Sequence, residues 1–116
     1  MVNFEKLEIY QEAIQLVLQI YKLTAKFPKE EKFGIIDQIR RASVSIALNI
    51  AEGTSRTKKD FCRFLDMARG SCHEIIPLLK ISLELGYINK TEYENLYADI
   101  ELLLKRINAL RRSLNN

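Results

Sequence analysis

Seven apolar residues, Tyr93, Leu96, Ile100, Leu103, Ile107, Leu110 and Leu114, follow one another at steps of 3, 4, 3, 4, 3 and 4. A helix turns by about 100° per residue, so this spacing lays all seven along one line of a helix. A seam of that length is stable only when buried against other helices. The chain is thereby committed to a helical bundle. Thr91-Glu92-Tyr93-Glu94 reads as a capping box that starts this helix at Thr91.

Three earlier segments carry the same rhythm. From about Glu5 to Lys26 two apolar stripes run side by side. One is Leu7, Tyr10, Ile14, Val17, Tyr21 and Thr24; the other is Ile9, Ala13, Leu16, Ile20, Leu23 and Phe27. So wide an apolar face predicts contact with more than one neighbour, and Pro28 ends the helix. A second helix is expected from about Glu30 to Glu52, with Ile36, Ile39, Ser43, Ile46 and Ile50 inward and Gly53 as its C-terminal cap. A third begins at Thr57, an N-cap residue, with Asp60 near its free N–H groups. Its inward stripe is Phe61, Leu65, Ala68, Cys72, Ile75 and Leu79, and Gly86 ends it. Pro77 interrupts one backbone hydrogen bond and predicts a bend near residues 73–77, while the unbroken rhythm predicts one helix rather than two. No segment alternates with the period of a strand. Short connections make successive helices antiparallel neighbours. The expected fold is all-α, an up-down-up-down antiparallel four-helix bundle forming a single domain over residues 1–116.

At 116 residues and 47% hydrophobic content the chain can build one real core. Its net charge of +3 is mild and spread along the length, with no basic tail. Nucleic acid would therefore have to be held by a patch assembled through folding, or repeated in an oligomer. Cys62 and Cys72 are ten positions apart, roughly 15 Å along one helix. A disulfide needs Cα atoms within about 7 Å, so both read as buried free thiols. His73, the single histidine, diverges from Cys72 around the helix and makes no metal pair with it. Neither a metal nor another cofactor is expected. The charged N-terminus lacks a signal-peptide core, and no apolar run approaches membrane length. A cytoplasmic location without membrane contact is expected.

Arg41, Arg56, Lys58, Lys59 and Arg63 form the candidate nucleic-acid site. Residues 56–63 surround the tight turn before the third helix, whose free N–H groups also favour an anion. The plainer reading is a solvated face with surface ion pairs, Arg63 with Asp66 and Arg41 with Glu52 of a neighbouring subunit. Arg40, Asn49, Glu52, Arg69 and Glu74 read as a structural polar network that fixes helix register or subunit contacts. Catalysis would require a nucleophile, a base and an orienting group converging in a pocket; the spacing marks none, so an enzyme is not expected. The five tyrosines read as packing residues rather than a base-stacking platform. Lys105, Arg106, Arg111 and Arg112 complement the dipole at a helix C-terminus. Leu48 falls on the outward side of the second helix, which, with the double stripe of the first, points to self-association.

Phe4-x-x-Leu7, Ala13, Phe27-Pro28, Gln38-Ile39-Arg40-Arg41-Ala42-x-x-Ser45-Ile46-x-x-Asn49-Ile50-Ala51-Glu52-Gly53 and Phe61-x-x-Phe64-Leu65-x-x-Ala68-Arg69-Gly70-Ser71-x-x-Glu74 carry a further signal. Together they resemble the bacterial four-helix-bundle proteins encoded in intervening sequences of 23S ribosomal RNA genes. Pro77 departs from the pattern. The resemblance implies a cytosolic, non-enzymatic bundle that assembles as a homopentamer. The similar accessory variability determinant proteins of diversity-generating retroelements are basic, pentameric and bind nucleic acid and a reverse transcriptase. Two functions are thus expected in competition. One is an oligomer binding RNA or DNA through phosphate contacts; the other is a scaffold or accessory subunit that docks a partner protein without a nucleic-acid role.

Overall fold

The computed structural model describes residue 4 and residues 7–115. Four α-helices follow in order: α1 (Glu8–Thr24), α2 (Ile35–Gly53), α3 (Lys58–Glu84) and α4 (Lys90–Asn115). Each runs back along its predecessor, α1 against α2, α2 against α3 and α3 against α4, while α4 closes onto α1. The antiparallel bundle measures 44 × 22 × 21 Å, and the described residues include no strand.

The inward stripes are the core. Ile20, Ile39, Ile46, Ile50, Leu65, Ile75, Leu79, Ile100, Leu103 and Ile107 are all essentially sealed from solvent. Each such side chain contributes roughly 1.5–3 kcal/mol through burial. On α1 the stripe from Ile9 to Phe27 is the buried one. Leu7, Tyr10, Ile14 and Tyr21 lie at its edge and are only partly covered.

Helix boundaries depart from the sequence expectation in instructive ways. The expected start of α1 at Glu5 lies outside the described residues. The second helix begins at Ile35 rather than Glu30, because Lys29–Glu31 forms a separate 3-10 turn. Glu31 then turns its Oε1 to the backbone N–H of Ile35 at 3.4 Å, supplying the cap that Gly34 lacks. Gly53 is not the cap beyond α2 but its last residue. A Cβ there would lie 2.6 Å from Phe61 Cδ1 and 3.0 Å from Phe64 Cβ, so only glycine lets α3 approach this closely. Thr57 caps α3 as expected, accepting from the Asp60 N–H at 3.2 Å. Helix α3 stays continuous through Pro77. The carbonyl of His73 loses its usual donor there, but both residues are exposed, so water can reach it. Gly86 ends the segment with φ 78°, a conformation costly for residues with a Cβ.

The capping box of α4 sits two positions before the expected one. Asn89 Oδ1 accepts from the Glu92 N–H at 2.8 Å, and Glu92 Oε1 accepts from the Asn89 N–H at 2.9 Å. Asparagine ranks above threonine as an N-cap residue, and its short carbonyl arm reaches the free N–H of the first turn.

Candidate nucleic-acid interface

The turn between α2 and α3 gathers four of the five candidate cations. Arg56 leans back on Glu52 through both Nε, at 3.1 Å, and Nη2. This hydrogen bond and the carboxylate's charge hold the Arg56 pKa above its ordinary value. Arg63 reaches Asp60 Oδ1 at 3.4 Å. The two guanidinium groups flank the ring of Phe64, at 5.4 and 5.7 Å from its centroid. Lys58 and Lys59 stand exposed on the first turn of α3 without an ion pair or hydrogen bond among the described residues. Two carboxylates thus temper the cluster, and two lysines remain uncommitted. Arg41 is apart, eleven residues before Glu52 on the same helix, or ~16 Å. It faces solvent and pairs with Asp37 at 3.4 Å.

The Arg63 ion pair differs from the one expected of a solvated face. Arg63 takes Asp60, three residues before it, because Asp66 is already occupied. Asp66 receives Arg111 of α4 in a two-pronged contact, Nε to Oδ1 at 2.6 Å and Nη2 to Oδ2 at 2.9 Å. Arg69 adds a weaker approach at 3.4 Å. The hydrogen bond from Arg111, strengthened by both positive charges, holds the Asp66 carboxyl below its ordinary pKa. Arg106 likewise crosses to α1, meeting Glu12 at 2.6 Å and Glu8 at 3.7 Å. Two of the four C-terminal cations therefore tie helices together, beyond any effect on the helix dipole.

Arg40, Asn49, Glu52 and Arg69 occupy separate contacts. Arg40 Nε donates to Thr24 Oγ1 at 2.8 Å, and its guanidinium lies 4.4 Å from the Tyr21 ring centroid, joining α2 to α1. Thr24 is buried, and its own hydroxyl donates a hydrogen bond to the Ile20 carbonyl at 2.7 Å. Asn49 donates to the Ser45 carbonyl and hydroxyl at 2.9 and 3.0 Å, and Ser71 Oγ donates to Ser45 Oγ at 3.0 Å. That small polar cluster sits between α2 and α3. Arg69 Nη1 donates to Asn108 Oδ1 at 3.0 Å, between α3 and α4. Glu52 belongs to Arg56, and Glu74 is exposed with no such contact among the described residues.

Other chemistry is sparse. Cys62 and Cys72 are free and buried, and burial pushes the Cys72 thiol up to about 12. Among the described residues no group of His, Cys, Asp or Glu could hold a metal ion. No described helix is long and apolar enough to cross a membrane. Tyr87 donates to Glu31 Oε2 at 2.8 Å, and Tyr93 and Tyr97 lean on each other at 5.9 Å, so the tyrosines serve separate contacts. One feature escaped the sequence. Phe33, immediately before α2, is 88% exposed and borders an open groove of about 740 Å³ with Tyr21, Ile36, Val44 and Leu48. The sequence expectation enclosed Phe33 in the second helix, whereas α2 starts only at Ile35 and leaves it in the preceding turn.

The solved structure of a protein of unknown function from the S23 ribosomal protein family of Bacteroides thetaiotaomicron has the same fold. It is 22% identical, with a TM-score of 0.79, and the match covers 89% of this chain and 97% of that one. No curated protein matches the chain significantly. The family model described as 23S rRNA-intervening sequence protein matches residues 5–109, and with that span nearly the whole bundle is accounted for: the chain belongs to the 23S rRNA-intervening sequence protein family.

Proposed function

We propose that this protein is a non-enzymatic, cytoplasmic helical bundle that assembles into a homo-oligomer, a pentamer by family resemblance, and holds RNA or DNA through phosphate contacts. Arg56, Lys58, Lys59 and Arg63 form the contact surface of each subunit, with Arg41 as an outlying cation. The observation that carries this reading is the pair of uncommitted lysines at the N-terminus of α3, between two arginines, where cationic side chains and free N–H groups favour the same kind of ligand. One such patch is weak. Repetition around a symmetry axis multiplies its phosphate contacts without any base reading. The family's link to ribosomal RNA genes and the retroelement proteins it resembles support a nucleic-acid partner.

Binding of this kind weakens steeply with salt, the logarithm of the association constant falling by about 0.9 per phosphate contact for each tenfold rise in salt. A fluorescent RNA or DNA titrated at several salt concentrations measures this slope. Lys59→Glu with Arg63→Glu should abolish binding and leave helical content unchanged, since both side chains are exposed. A flat salt response, or no binding at low salt, overturns the reading. The competing scaffold reading draws on exposed Phe33 and Leu48. Co-purification of one stoichiometric protein without nucleic acid would select it.

A further inference from the structure

Two helices of this bundle carry a second 3–4 seam on the outside. On α3, Met67, Gly70, Glu74, Pro77 and Ile81 follow at steps of 3, 4, 3 and 4, and all five are exposed. On α2, Asp37, Arg41, Val44 and Leu48 follow at steps of 4, 3 and 4, facing away from the core. Seams of this period are the means by which helices pack on one another. These two are uncovered, with Leu48 64% and Ile81 48% exposed. We infer that the outer line of α2 in one copy packs antiparallel against the outer line of α3 in the next copy. The inference rests on the self-assembly proposed above and supplies its contact, in which Arg41 serves assembly and leaves phosphate binding to Arg56, Lys58, Lys59 and Arg63.

Charge sets the register. Glu74 has no ion pair or hydrogen bond among the described residues, and the Arg41 side chain is 81% exposed beside Asp37. Placing Arg41 opposite Glu74 of the next copy brings the other seam positions within one residue of alignment. Leu48 then meets Met67. Val44 comes beside Gly70, where the missing side chain leaves a hollow. Nothing inside the chain demands glycine at that position, since an added Cβ would touch no atom within 4 Å. A helix-interior glycine weakens its helix relative to alanine, and close approach by a second helix accounts for it.

This register lies within one to two residues of the packing within one chain. There Ser45 of α2 lies level with Ser71 of α3; between copies Val44 would lie level with Gly70. Helix α2 is thus flanked by its own α3 and by the α3 of a neighbour, within about 3 Å of the same height. The two surfaces differ, so the contact is head-to-tail. A head-to-tail contact of this kind closes into a ring when its rotation closes.

Light scattering on four proteins tests this: the natural chain, Arg41→Glu, Glu74→Arg and the double swap. The natural chain should be an oligomer. Each single change should weaken assembly by at least about tenfold through like-charge opposition, and the double swap should restore it. Leu48→Asp, also at an exposed site, should disrupt assembly as well, with circular dichroism reporting an intact bundle. An oligomeric natural chain with unaffected single variants, or a double swap that does not recover, overturns this contact and leaves the assembly reading standing. A natural chain that stays monomeric overturns both. Nucleic-acid binding is scored separately with the Lys59→Glu and Arg63→Glu variant, which should keep the natural oligomer mass.

Discussion

Where α2 meets α3, an added Cβ on Gly53 would sit 2.6 Å from the Phe61 ring. Where α1 meets α4, open grooves of about 410 and 430 Å³ are lined by Gln11, Gln15, Gln19, Asp99, Lys22, Asn95 and their neighbours. Shape closes the first seam, through glycine, small hydroxyls and apolar stripes. Charge bridges the second, through Arg106 with Glu8 and Glu12 and through Lys26 with Glu92. Packed contacts are short-ranged and insensitive to salt, whereas exposed ion pairs are weak and screened. The two seams should therefore differ sharply in what breaks them.

The largest loss should come from the filled side. Leu65 is fully buried, and Leu65→Ala removes its contacts and leaves a cavity, costing about 2–5 kcal/mol. Gly53→Ala should follow at about 1–3 kcal/mol, the range for overpacking. The helix-propensity gain of up to ~1 kcal/mol only partly offsets this, because the Phe64 Cβ cannot swing away. Urea unfolding midpoints measure both. A Gly53→Ala protein as stable as the natural chain would mean that the α2–α3 approach is not fixed by shape.

How the sequence foretold this division can be read from individual residues. The inward stripes of all four helices were legible because burial follows a fixed period, and Thr57 was legible because its cap is local. The Asn89-x-x-Glu92 box was equally local but competed with Thr91-x-x-Glu94, and only geometry chose between them. Gly53 was readable as a helix-end residue, yet its reason lies on another helix, where Phe61 and Phe64 arrive. The candidate site divided in the same way. Its cations around the turn were legible from their nearness in sequence. The capture of Asp66 by Arg111 was not, since forty-five residues separate them. A long flexible side chain chooses its ion partner from whatever the fold brings near, and a pattern on one helix does not encode that choice.

Between the two extremes stands Asp66, on the α3–α4 seam, whose pKa Arg111 lowers. A depressed folded pKa stabilises the fold at pH above the unfolded value, and the contribution disappears as pH falls through the folded one. Asp66→Asn should thus cost about 0.5–1 kcal/mol at neutral pH, held down by solvent around a partly exposed pair. The difference from the natural chain should shrink once pH drops below about 4. Thermal unfolding across pH 2–7 measures it. A gap that widens with acidity would mean that the pair does not stabilise the native state.

Arg106→Ala should have the smallest effect and the most diagnostic salt dependence. Its guanidinium reaches Glu12 and Glu8 from an exposed position, so water and ions compete at every atom. Removing it should lower the melting midpoint by about 2 °C or less at low salt. Near 0.5 M salt the Debye length shrinks to roughly 4 Å, and the natural and variant curves should merge. The Gly53→Ala curve should stay displaced in the same buffer, because a steric overlap has no counterion. If salt instead closed the Gly53→Ala gap and left that of Arg106→Ala, the roles of the seams would be reversed. Charge would then organise the tight face, and the polar grooves along α1 and α4 would hold the bundle by packing.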